Sequence, residues 1–522
     1  MQALPIGVQD FVQLRQDNLL YVDKTARLLE LIKNGRRYFL SRPRRFGKSL
    51  TLSTLDAMFS GRKELFKGLV AEQWVTQQSK KPSQVLRFDM SALKTTDSLT
   101  IEQALVEMIS RTARKRNIAL HSQSMTGMLI DLIEEIYAVN GHVVVLIDEY
   151  DKPILDNLSH FKKANEMREL LRSFYTVLKS CDEYLRFVML TGISKFSKVG
   201  VFSAMNNLLD ISMMENYGDI AGYTQQELEY YFDGWLKLNA EREKFSQEEI
   251  LARLKNYYDG FCFNGTTRVY NPFSILSFFC TGEFKNYWYE SGSPSFIVKW
   301  MKEHHIQDPE DYRHIVVNGN DFISIQEIEQ ADAASLLYQS GYLTIEKKED
   351  QLLMLDYPNK EVINSLSSMY LKLIYRVEGY ALLGNEIWKA LRQGDIPEIV
   401  RLYNIAIAGI PYDDYAKNRN EFWYRSLFIM LLRGAGIISY SEPHTSKGRA
   451  DVVINFQSIV VVFEFKFAKD SSEVEGKKLE GLEQLQDRGY ADGYGAEGRK
   501  VVSAVFVADD EHRKVILFAT KQ

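Results

Sequence analysis

A stretch of basic and small residues between Ser41 and Leu50 has the residue types and spacing that bind phosphate. Gly47, Lys48 and Ser49 match the end of the pattern G-x-x-x-x-G-K-[ST], which follows a strand and opens a helix. The loop amides would hold phosphate oxygens, Lys48 would reach the β- and γ-phosphates, and the Ser49 hydroxyl would bind Mg²⁺. Arg42 stands where the first glycine belongs, so this loop must begin differently. The alternative is a basic turn ahead of a surface helix.

Two further candidate strands end in polar residues that suit the same chemistry. The apolar run before Asp148 and Glu149 is typical of a buried parallel strand, and ligands bind at the carboxyl ends of such strands. Asp148 would hold Mg²⁺ or its water, and Glu149 would polarise the attacking water. Thr191 on the third strand would sense the γ-phosphate or the water. This order predicts an additional-strand P-loop ATPase that binds ATP and Mg²⁺, whereas a solvated strand end is the alternative for the acid pair. The candidate nucleotide contacts on the loop are Arg42, Arg44, Arg45, Phe46, Gly47, Lys48, Ser49 and Leu50.

A second group of ionisable residues lies near the end of the chain. A hairpin centred on Gln457-Ser458 would place Asp451 opposite Glu464, and strand alternation would put Lys466 on the same face. Because a buried carboxylate needs a partner or a metal, we expect Asp451, Glu464 and the backbone carbonyl of Phe465 to hold a divalent ion. Lys466 would orient the attacking water and stabilise the phosphate in phosphodiester cleavage.

The elements that position these residues fall into five predicted parts. Strands and amphipathic helices alternate over residues 1–220, which indicates a P-loop α/β core. Helices dominate 221–330 and would form a lid over the nucleotide, and 331–375 has a winged-helix layout. A helical connector over 376–415 leads to a smaller α/β domain over 416–522. The predicted fold class is therefore α/β: a P-loop core with a helical lid and a winged-helix-like module, followed by a smaller α/β domain.

The winged-helix-like module is open to two interpretations. Such a module can bind DNA, or it can serve as a packing element inside an ATPase. The predicted tip of the wing, Lys347 to Asp350, carries two positive and two negative side chains. This balance of charge favours packing.

Several segments together resemble the AAA-ATPase-like family of bacterial proteins. They are RPRRFGKSL, VVLIDEYDKP, LTGISKFSKVGVFS and NNLLDIS, and the opening stretch with Tyr21-Val-Asp-Lys24 is also similar to that family. The resemblance covers nearly the whole chain. It implies that Arg42 follows the family, in which arginine commonly replaces the first loop glycine, and that a nuclease-like domain ends the chain.

The second constellation looks like the core of the PD-(D/E)XK nuclease superfamily. Glu464-Phe-Lys466 is intact, while the first motif, Arg-Ala-Asp451, lacks the usual proline. The resemblance implies that Glu421, on the preceding helix, is an additional metal-binding acid. It also implies that Gln484, together with Tyr490, supports the site from a later helix. The alternative is an inactive nuclease fold that only binds.

Composition limits the class of protein. The chain has 522 residues and three scattered cysteines, which fits a reduced cytoplasm. Its net charge of −5 argues against indiscriminate binding of nucleic acid, but not against a local binding groove. The sequence has neither an apolar run of membrane-spanning length nor the layout of a signal peptide, so we expect no membrane partner.

Three functions are consistent with these residues. The leading hypothesis is an ATPase coupled to a Mg²⁺-dependent endonuclease that acts on nucleic acid, with DNA as the expected target. The rival is a nucleotide-controlled signalling switch whose last domain is a binding module. Self-association, as a homo-oligomer, would then supply the arginine finger that the sequence does not identify. The third is a defence or mobile-element protein that acts on RNA, because the site chemistry addresses phosphodiesters in general.

Overall fold

The chain divides into two units in the computed structural model. The first comprises Met1–Trp300 and His314–Glu361, and the second comprises Met301–Arg313 and Val362–Gln522. The predicted connector therefore belongs with the C-terminal domain, and the predicted winged-helix segment divides after Glu361. The structure describes residues 1–93, 100–157, 161–194, 207–290, 297, 301, 312–319, 322, 333–410, 419–437, 439–441, 444–445, 448–456, 459–488 and 500–521.

A parallel sheet forms the centre of the first unit and confirms the predicted α/β core. The order of its described strands is β2-β3-β4-β1-β5, and every pair is parallel. Strand β4 lies between β1 and β3, which is the arrangement of an additional-strand P-loop core. All residues of β1 and β3 are buried, as the apolar runs over residues 38–40 and 143–147 predict, and the burial includes the polar ends Arg37, Ser41 and Asp148. The strands are β1 Arg37–Ser41, β2 Gln84–Asp89, β3 Val143–Asp148, β4 Leu185–Gly192 and β5 Leu209–Asp210.

Helices connect these strands, and their ends follow local capping rules. Thr100 and Gln103 form a capping box at the start of α5, and Ser124 caps α6. Gly141 ends α6 with a φ of 79°, a conformation that favours glycine. The helices are α1 Phe11–Gln16, α2 Thr25–Asn34, α3 Lys48–Phe59, α4 Glu72–Gln78, α5 Ile101–Arg114, α6 Met125–Asn140, α7 Lys152–Leu155 and α8 Phe161–Ser180.

The predicted lid is a set of helices with its own aromatic core. Capping boxes at Thr224 and Ser246 start α9 and α11, and Asn271 caps α12. Buried aromatic residues such as Phe232 and Tyr258 pack between the helices. The elements are α9 Gln225–Tyr231, α10 Asp233–Glu243, α11 Gln247–Tyr258, β6 Phe261–Cys262, β7 Arg268–Val269, α12 Pro272–Thr281 and α13 Tyr287–Glu290.

Helix, strand, strand and helix follow in the predicted winged-helix order. A strand that the sequence did not predict, β8, pairs with the far side of β10, so the antiparallel order is β8-β10-β9. Lys347 and Glu349 form an ion pair near the turn, in keeping with the balanced charge expected there. DNA binding by this part stays a prediction. The elements are β8 Ile315–Asn318, α14 Ala333–Ser340, β9 Thr344–Glu349, β10 Leu352–Asp356 and α15 Lys360–Met369.

The second unit contains a mixed sheet of order β11-β14-β15-β16-β17, in which only β15 and β16 are parallel among the described pairs. In the hairpin, Val452 pairs with Phe463 and Phe456 with Ile459, which is the predicted register. Beyond α15, residues Tyr370–Ile374 form a π-helical turn. The remaining elements are α16 Tyr380–Gln393, α17 Ile396–Ala408, α18 Glu421–Gly434, β11 Ser439–Ser441, β12 His444–Thr445, β13 Gly448–Arg449, β14 Val452–Phe456, β15 Ile459–Ala468, α19 Val474–Arg488, β16 Lys500–Asp509 and β17 Lys514–Lys521.

Candidate nucleotide site and candidate metal centre

The phosphate-binding loop connects β1 to α3, as its sequence predicts. Gly47 has a φ of 90° and precedes the helix directly, a conformation that favours glycine. The Nζ of Lys48 donates hydrogen bonds to the carbonyl oxygens of Arg42 (3.0 Å) and Pro43 (3.1 Å). The lysine is thus folded over the start of its own loop.

Arg42 is buried and binds the protein itself. Its Nη1 donates to the carbonyl oxygens of Ser41 (2.9 Å) and Ser212 (2.7 Å), and its Nη2 to that of Tyr217 (3.0 Å). The guanidinium also lies 4.4 Å from the ring centroid of Phe263. Burial lowers the pKa of Arg42 to about 10, so the side chain still carries its charge. This geometry favours a loop-shaping role over the nucleotide contact that the sequence also allowed.

Phe46 is a second predicted contact that the structure uses for packing. Its ring is 1% exposed and lies 4.9 Å from the ring of Phe261 and 5.4 Å from that of Phe263. An apolar side chain inside a loop of basic residues is more stable in such an aromatic pocket than beside phosphate. Neither Phe46 nor Arg42 lines the cavity described next.

A cavity of about 380 Å³ lies beside the loop, a volume within the usual range for ligand pockets. It brings together most of the predicted nucleotide contacts: Arg44, Arg45, Gly47, Lys48, Ser49, Leu50, Asp148 and Glu149. Sequence reasoning missed the other lining residues, which are Pro5, Gly7, Val8, Gln9, Asp89, Ser91, Tyr223, Pro272, Phe273 and Leu276. Asp89 was detectable in principle, because it also ends a strand of the sheet.

The acids at the strand ends form a short hydrogen-bonded series. Asp148 Oδ1 accepts hydrogen bonds from Thr191 Oγ1 (2.7 Å) and from the backbone N–H of Glu149 (3.1 Å). Thr191 does not line the cavity, so it reaches the site through Asp148. Glu149 has a φ of 52°, an uncommon value for a residue with a side chain, and it does line the cavity.

Asp151, which was not predicted as a site residue, binds the segment that follows β4, the strand that carries Thr191. Its Oδ2 accepts hydrogen bonds from the backbone N–H groups of Ser194 (2.6 Å) and Ile193 (3.0 Å) and from the Ser194 hydroxyl (2.7 Å). Burial, together with the charge of Glu149, raises the pKa of Asp151 to about 6. The carboxyl therefore fixes the chain that leaves β4.

Besides the packing of Arg42 and Phe46 against Phe261 and Phe263, two further contacts join the lid to the loop. The indole N–H of Trp288 donates to the carbonyl oxygen of Arg44 (3.2 Å), and the guanidinium of Arg45 lies 4.8 Å from the ring centroid of Phe273. Because Phe273 also lines the cavity, lid and loop enclose the same space.

In the second unit, Asp451 receives two donors. Its Oδ2 accepts the backbone N–H of Phe465 (2.7 Å), and its Oδ1 accepts Nη1 of Arg425 (3.0 Å). Arg425 was not predicted, although it lies four residues after Glu421 and hence on the same face of α18.

Glu464 and Lys466 form a buried ion pair beside Asp451. Lys466 Nζ lies 2.8 Å from Glu464 Oε1 and 3.0 Å from the carbonyl oxygen of Phe465. Glu464 is 1% exposed, and its Oε2 has no hydrogen-bond partner among the residues that the structure describes. Burial and the charge of Asp451 raise the pKa of Glu464 to about 7, against the opposing effect of Lys466.

The other predicted residues of this site lie around the ion pair. Burial raises the pKa of Glu421, while the nearby Lys466 opposes that shift. Gln484 lies on α19, one turn beyond Gly481, where an added Cβ would be 3.4 Å from Lys466 Cγ. Tyr490 lies outside the described residues.

The carboxylate oxygens of Glu421, Asp451 and Glu464 do not all lie within 4.8 Å of one another, so these acids do not form a close three-ligand cluster. In the described part of the chain, ligand atoms of three acidic or imidazole side chains lie within 4.8 Å of one another in two other clusters. Those clusters are His314, Glu346 and Asp356, and Asp509, Glu511 and His512.

Comparison with known proteins identifies the family. Residues 5–202 match the AAA-ATPase-like family, described as predicted AAA-ATPase, and residues 419–517 match the PD-(D/E)XK nuclease superfamily. An uncharacterized protein in the vnfD 5′ region of Azotobacter chroococcum is 37% identical over 512 residues, which covers 96% of this chain and 95% of that protein. The chain belongs to the predicted AAA-ATPase family. The predicted architecture of this family member, with a nuclease-superfamily domain at its end, is thereby confirmed.

Solved structures resemble this AAA-ATPase-like protein only distantly. The Aeropyrum pernix ORC2 protein in its ADPNP–ADP complexes is 13% identical, with a TM-score of 0.26. The match covers 80% of this chain and 85% of the ORC2 chain. Cdc6p from Pyrobaculum aerophilum is 10% identical, with a TM-score of 0.25. The match covers 67% of this chain and 91% of the Cdc6p chain. The assignment of the P-loop core therefore rests on the strand order and the loop. Within the described residues, this family member has no helix with the length and apolar character needed to span a membrane.

Proposed function

We propose that this protein hydrolyses ATP and that the nucleotide controls a metal-dependent nuclease site acting on nucleic acid, with DNA as the expected substrate. The observation that carries the nuclease part is the buried Glu464 Oε2 beside Asp451, a carboxylate oxygen for which the described part of the chain offers no hydrogen-bond partner. A buried acceptor without a partner is costly, and more so when charged, so its retention suits a cation-binding role. A cytoplasmic location stays a prediction.

In the ATP site, the loop and strand ends take separate roles. Lys48 would exchange the carbonyl oxygens of Arg42 and Pro43 for phosphate oxygens, because an ammonium binds anionic oxygen more strongly than a neutral carbonyl. Ser49 and Asp148 would hold Mg²⁺, and Glu149 would polarise the attacking water. The Thr191 hydroxyl keeps Asp148 oriented.

In the second site, Asp451, Glu464 and the carbonyl oxygen of Phe465 would hold a divalent ion. When bound, such an ion supplies charge neutralisation at the phosphodiester and lowers the pKa of a bound water. Lys466 is fixed by Glu464 and by the Phe465 carbonyl, so it would orient the attacking water and stabilise negative charge on the phosphate.

A second candidate function is a nucleotide-controlled switch whose nuclease-like domain only binds. It is favoured by the open arrangement of Glu421, Asp451 and Glu464, which are not among the close ligand clusters of the described residues. In that case self-association of the chain would supply the arginine finger and carry the signal.

The deciding experiment measures ATP hydrolysis and cleavage of single- and double-stranded DNA and RNA, with and without ATP and Mg²⁺. We expect Lys48→Ala to lower ATP turnover at least about 100-fold, because the loop lysine neutralises the transferred phosphate. We expect Asp451→Asn to abolish cleavage and to leave ATP turnover unchanged. The exposed residues Lys63 and Asp470 provide matched controls as Lys63→Ala and Asp470→Asn.

Two results would contradict the proposal. ATP turnover that persists in Lys48→Ala shows that the loop assignment is wrong. A wild-type protein that hydrolyses ATP but cleaves none of the substrates favours the switch instead.

A further inference from the structure

Helix α18 presents a buried arginine to the proposed metal centre. Arg425 lies one turn after Glu421, is 8% exposed, and donates a hydrogen bond of 3.0 Å to Asp451 Oδ1. Its guanidinium lies 5.3 Å from the ring centroid of Phe422, so the helix itself holds part of the side chain in place. The ion pair between Arg425 and Asp451 is therefore largely removed from water.

Protein donors already occupy most of the oxygens expected to bind the ion. Arg425 holds Asp451 Oδ1, and the backbone N–H of Phe465 holds Asp451 Oδ2. Lys466 holds Glu464 Oε1 and the Phe465 carbonyl. Of these oxygens, Glu464 Oε2 alone lacks a donor from the described residues. A divalent ion on Asp451 would then lie close to a guanidinium in a poorly solvated site, where like charges repel strongly.

We propose that Arg425 is an internal counter-ion that competes with the divalent metal for Asp451 and thereby sets the metal affinity. The inference rests on the proposed function, because it concerns the same site. When only a fraction of molecules has Asp451 released from Arg425, the apparent dissociation constant for metal rises by the inverse of that fraction. A pair closed in about nine molecules of ten weakens metal binding about tenfold.

A purely positioning role for Arg425 leads to the opposite expectation. If the arginine only oriented Asp451 for metal, its removal would loosen a ligand and weaken binding. Metal affinity therefore distinguishes competition from positioning.

The test is a calorimetric titration of Mn²⁺ into the full-length protein without added nucleotide. We expect Arg425→Met, which removes the charge and keeps an apolar stem, to bind Mn²⁺ about tenfold more tightly than wild type. Arg425→Lys should lie between the two, because an ammonium lacks the planar fork of the guanidinium. Arg401→Met, in an exposed ion pair with Glu398 on α17, is the matched control and should bind as wild type does. The part of the Mn²⁺ binding that disappears in Asp451→Asn is the part that belongs to this site.

The outcomes separate the inference from the proposed function. If Arg425→Met binds Mn²⁺ as weakly as wild type, or more weakly, the competition is overturned while the metal centre stands. If neither wild type nor Arg425→Met shows binding that depends on Asp451, the metal centre fails, and the inference fails with it. If circular dichroism shows that Arg425→Met does not fold, Arg425→Lys decides: tighter binding than wild type supports competition, and equal or weaker binding overturns it.

Discussion

Arg42 replaces a loop glycine with a side chain that organises the backbone around it. Its guanidinium donates hydrogen bonds to the carbonyl oxygens of Ser41, Ser212 and Tyr217. Ser212 and Tyr217 lie 170 and 175 residues further along the chain than Arg42. This buried charge is stabilised because both terminal nitrogens meet carbonyl acceptors and because the Phe263 ring covers one face, while Nε has no hydrogen-bond partner among the described residues. A single residue thus closes the start of the loop by long-range contacts instead of by local backbone freedom.

Restoring the glycine of the standard pattern is expected to harm this protein. Arg42→Gly should lower the free energy of unfolding of the first unit by about 3–5 kcal/mol, because it leaves buried carbonyl oxygens without donors. It should not tighten the binding of a non-hydrolysable ATP analogue, although the sequence then matches the motif better. Urea unfolding and calorimetric titration measure the two quantities, and Arg62→Gly, at an exposed position, is the control. Unchanged unfolding together with tighter binding would contradict this account of Arg42.

At the scale of elements, the N-terminal segment joins the lid to the nucleotide cavity. Lys24 Nζ lies 2.6 Å from both carboxylate oxygens of Glu227, which also accepts from Thr224 in the capping box of α9. Burial lowers the pKa of Lys24, and Glu227 opposes that shift. Upstream in the same segment, the residues that line the cavity are Pro5, Gly7, Val8 and Gln9. The partly buried ion pair between Lys24 and Glu227 therefore ties the N-terminal segment to the lid.

Breaking that ion pair should loosen both elements. Lys24→Met leaves the partly buried Glu227 carboxylate without its cation, so we expect a loss of about 2 kcal/mol of unfolding free energy and several-fold weaker binding of the ATP analogue. The double variant Lys24→Met/Glu227→Gln should lose less than the two single variants together, because each removes the same interaction. Lys237→Met disrupts an exposed pair with Asp233 on α10 and should change the stability by less than about 1 kcal/mol. Additive losses in the double variant would show that the pair is not coupled.

The sequence predicts elements whose signal is local and misses contacts between distant segments. The strand, the Gly47-Lys48-Ser49 turn and the following helix are adjacent in sequence, and the hairpin register that aligns Asp451 with Glu464 follows from symmetry about a short turn. Arg425 meets Asp451, and Asp151 meets Ser194, only after helices and strands have packed. No local periodicity encodes such pairs. For the same reason, the division after Glu361 falls inside a segment whose sequence reads as one module.

At the scale of the whole molecule, each candidate site lies within one unit. The nucleotide cavity is lined by residues of the first unit, and the carboxylates lie in the second. Control of one by the other must therefore appear as a change in the second unit when nucleotide binds the first.

Hydrogen exchange tests that coupling directly. We expect a non-hydrolysable ATP analogue with Mg²⁺ to change exchange in β14 and β15 at least about fivefold, the lower end of typical coupling between sites. The amide of Phe465, which donates to Asp451, is the most informative reporter. Lys48→Ala should abolish the change and Lys63→Ala should keep it. Equal exchange in the second unit with and without the analogue would mean that the two sites act independently.

The path of the chain between the units has a consequence for how such a protein can evolve. The chain passes from the first unit to the second after Trp300, returns at His314, and passes over again after Glu361. A gene fragment that encodes only residues 362–522 would leave 301–313 of the second unit behind in the donor gene. The nuclease-like unit is consequently a poor candidate for exchange by simple fusion or truncation, and recombination within this lineage should favour inheritance of both units together.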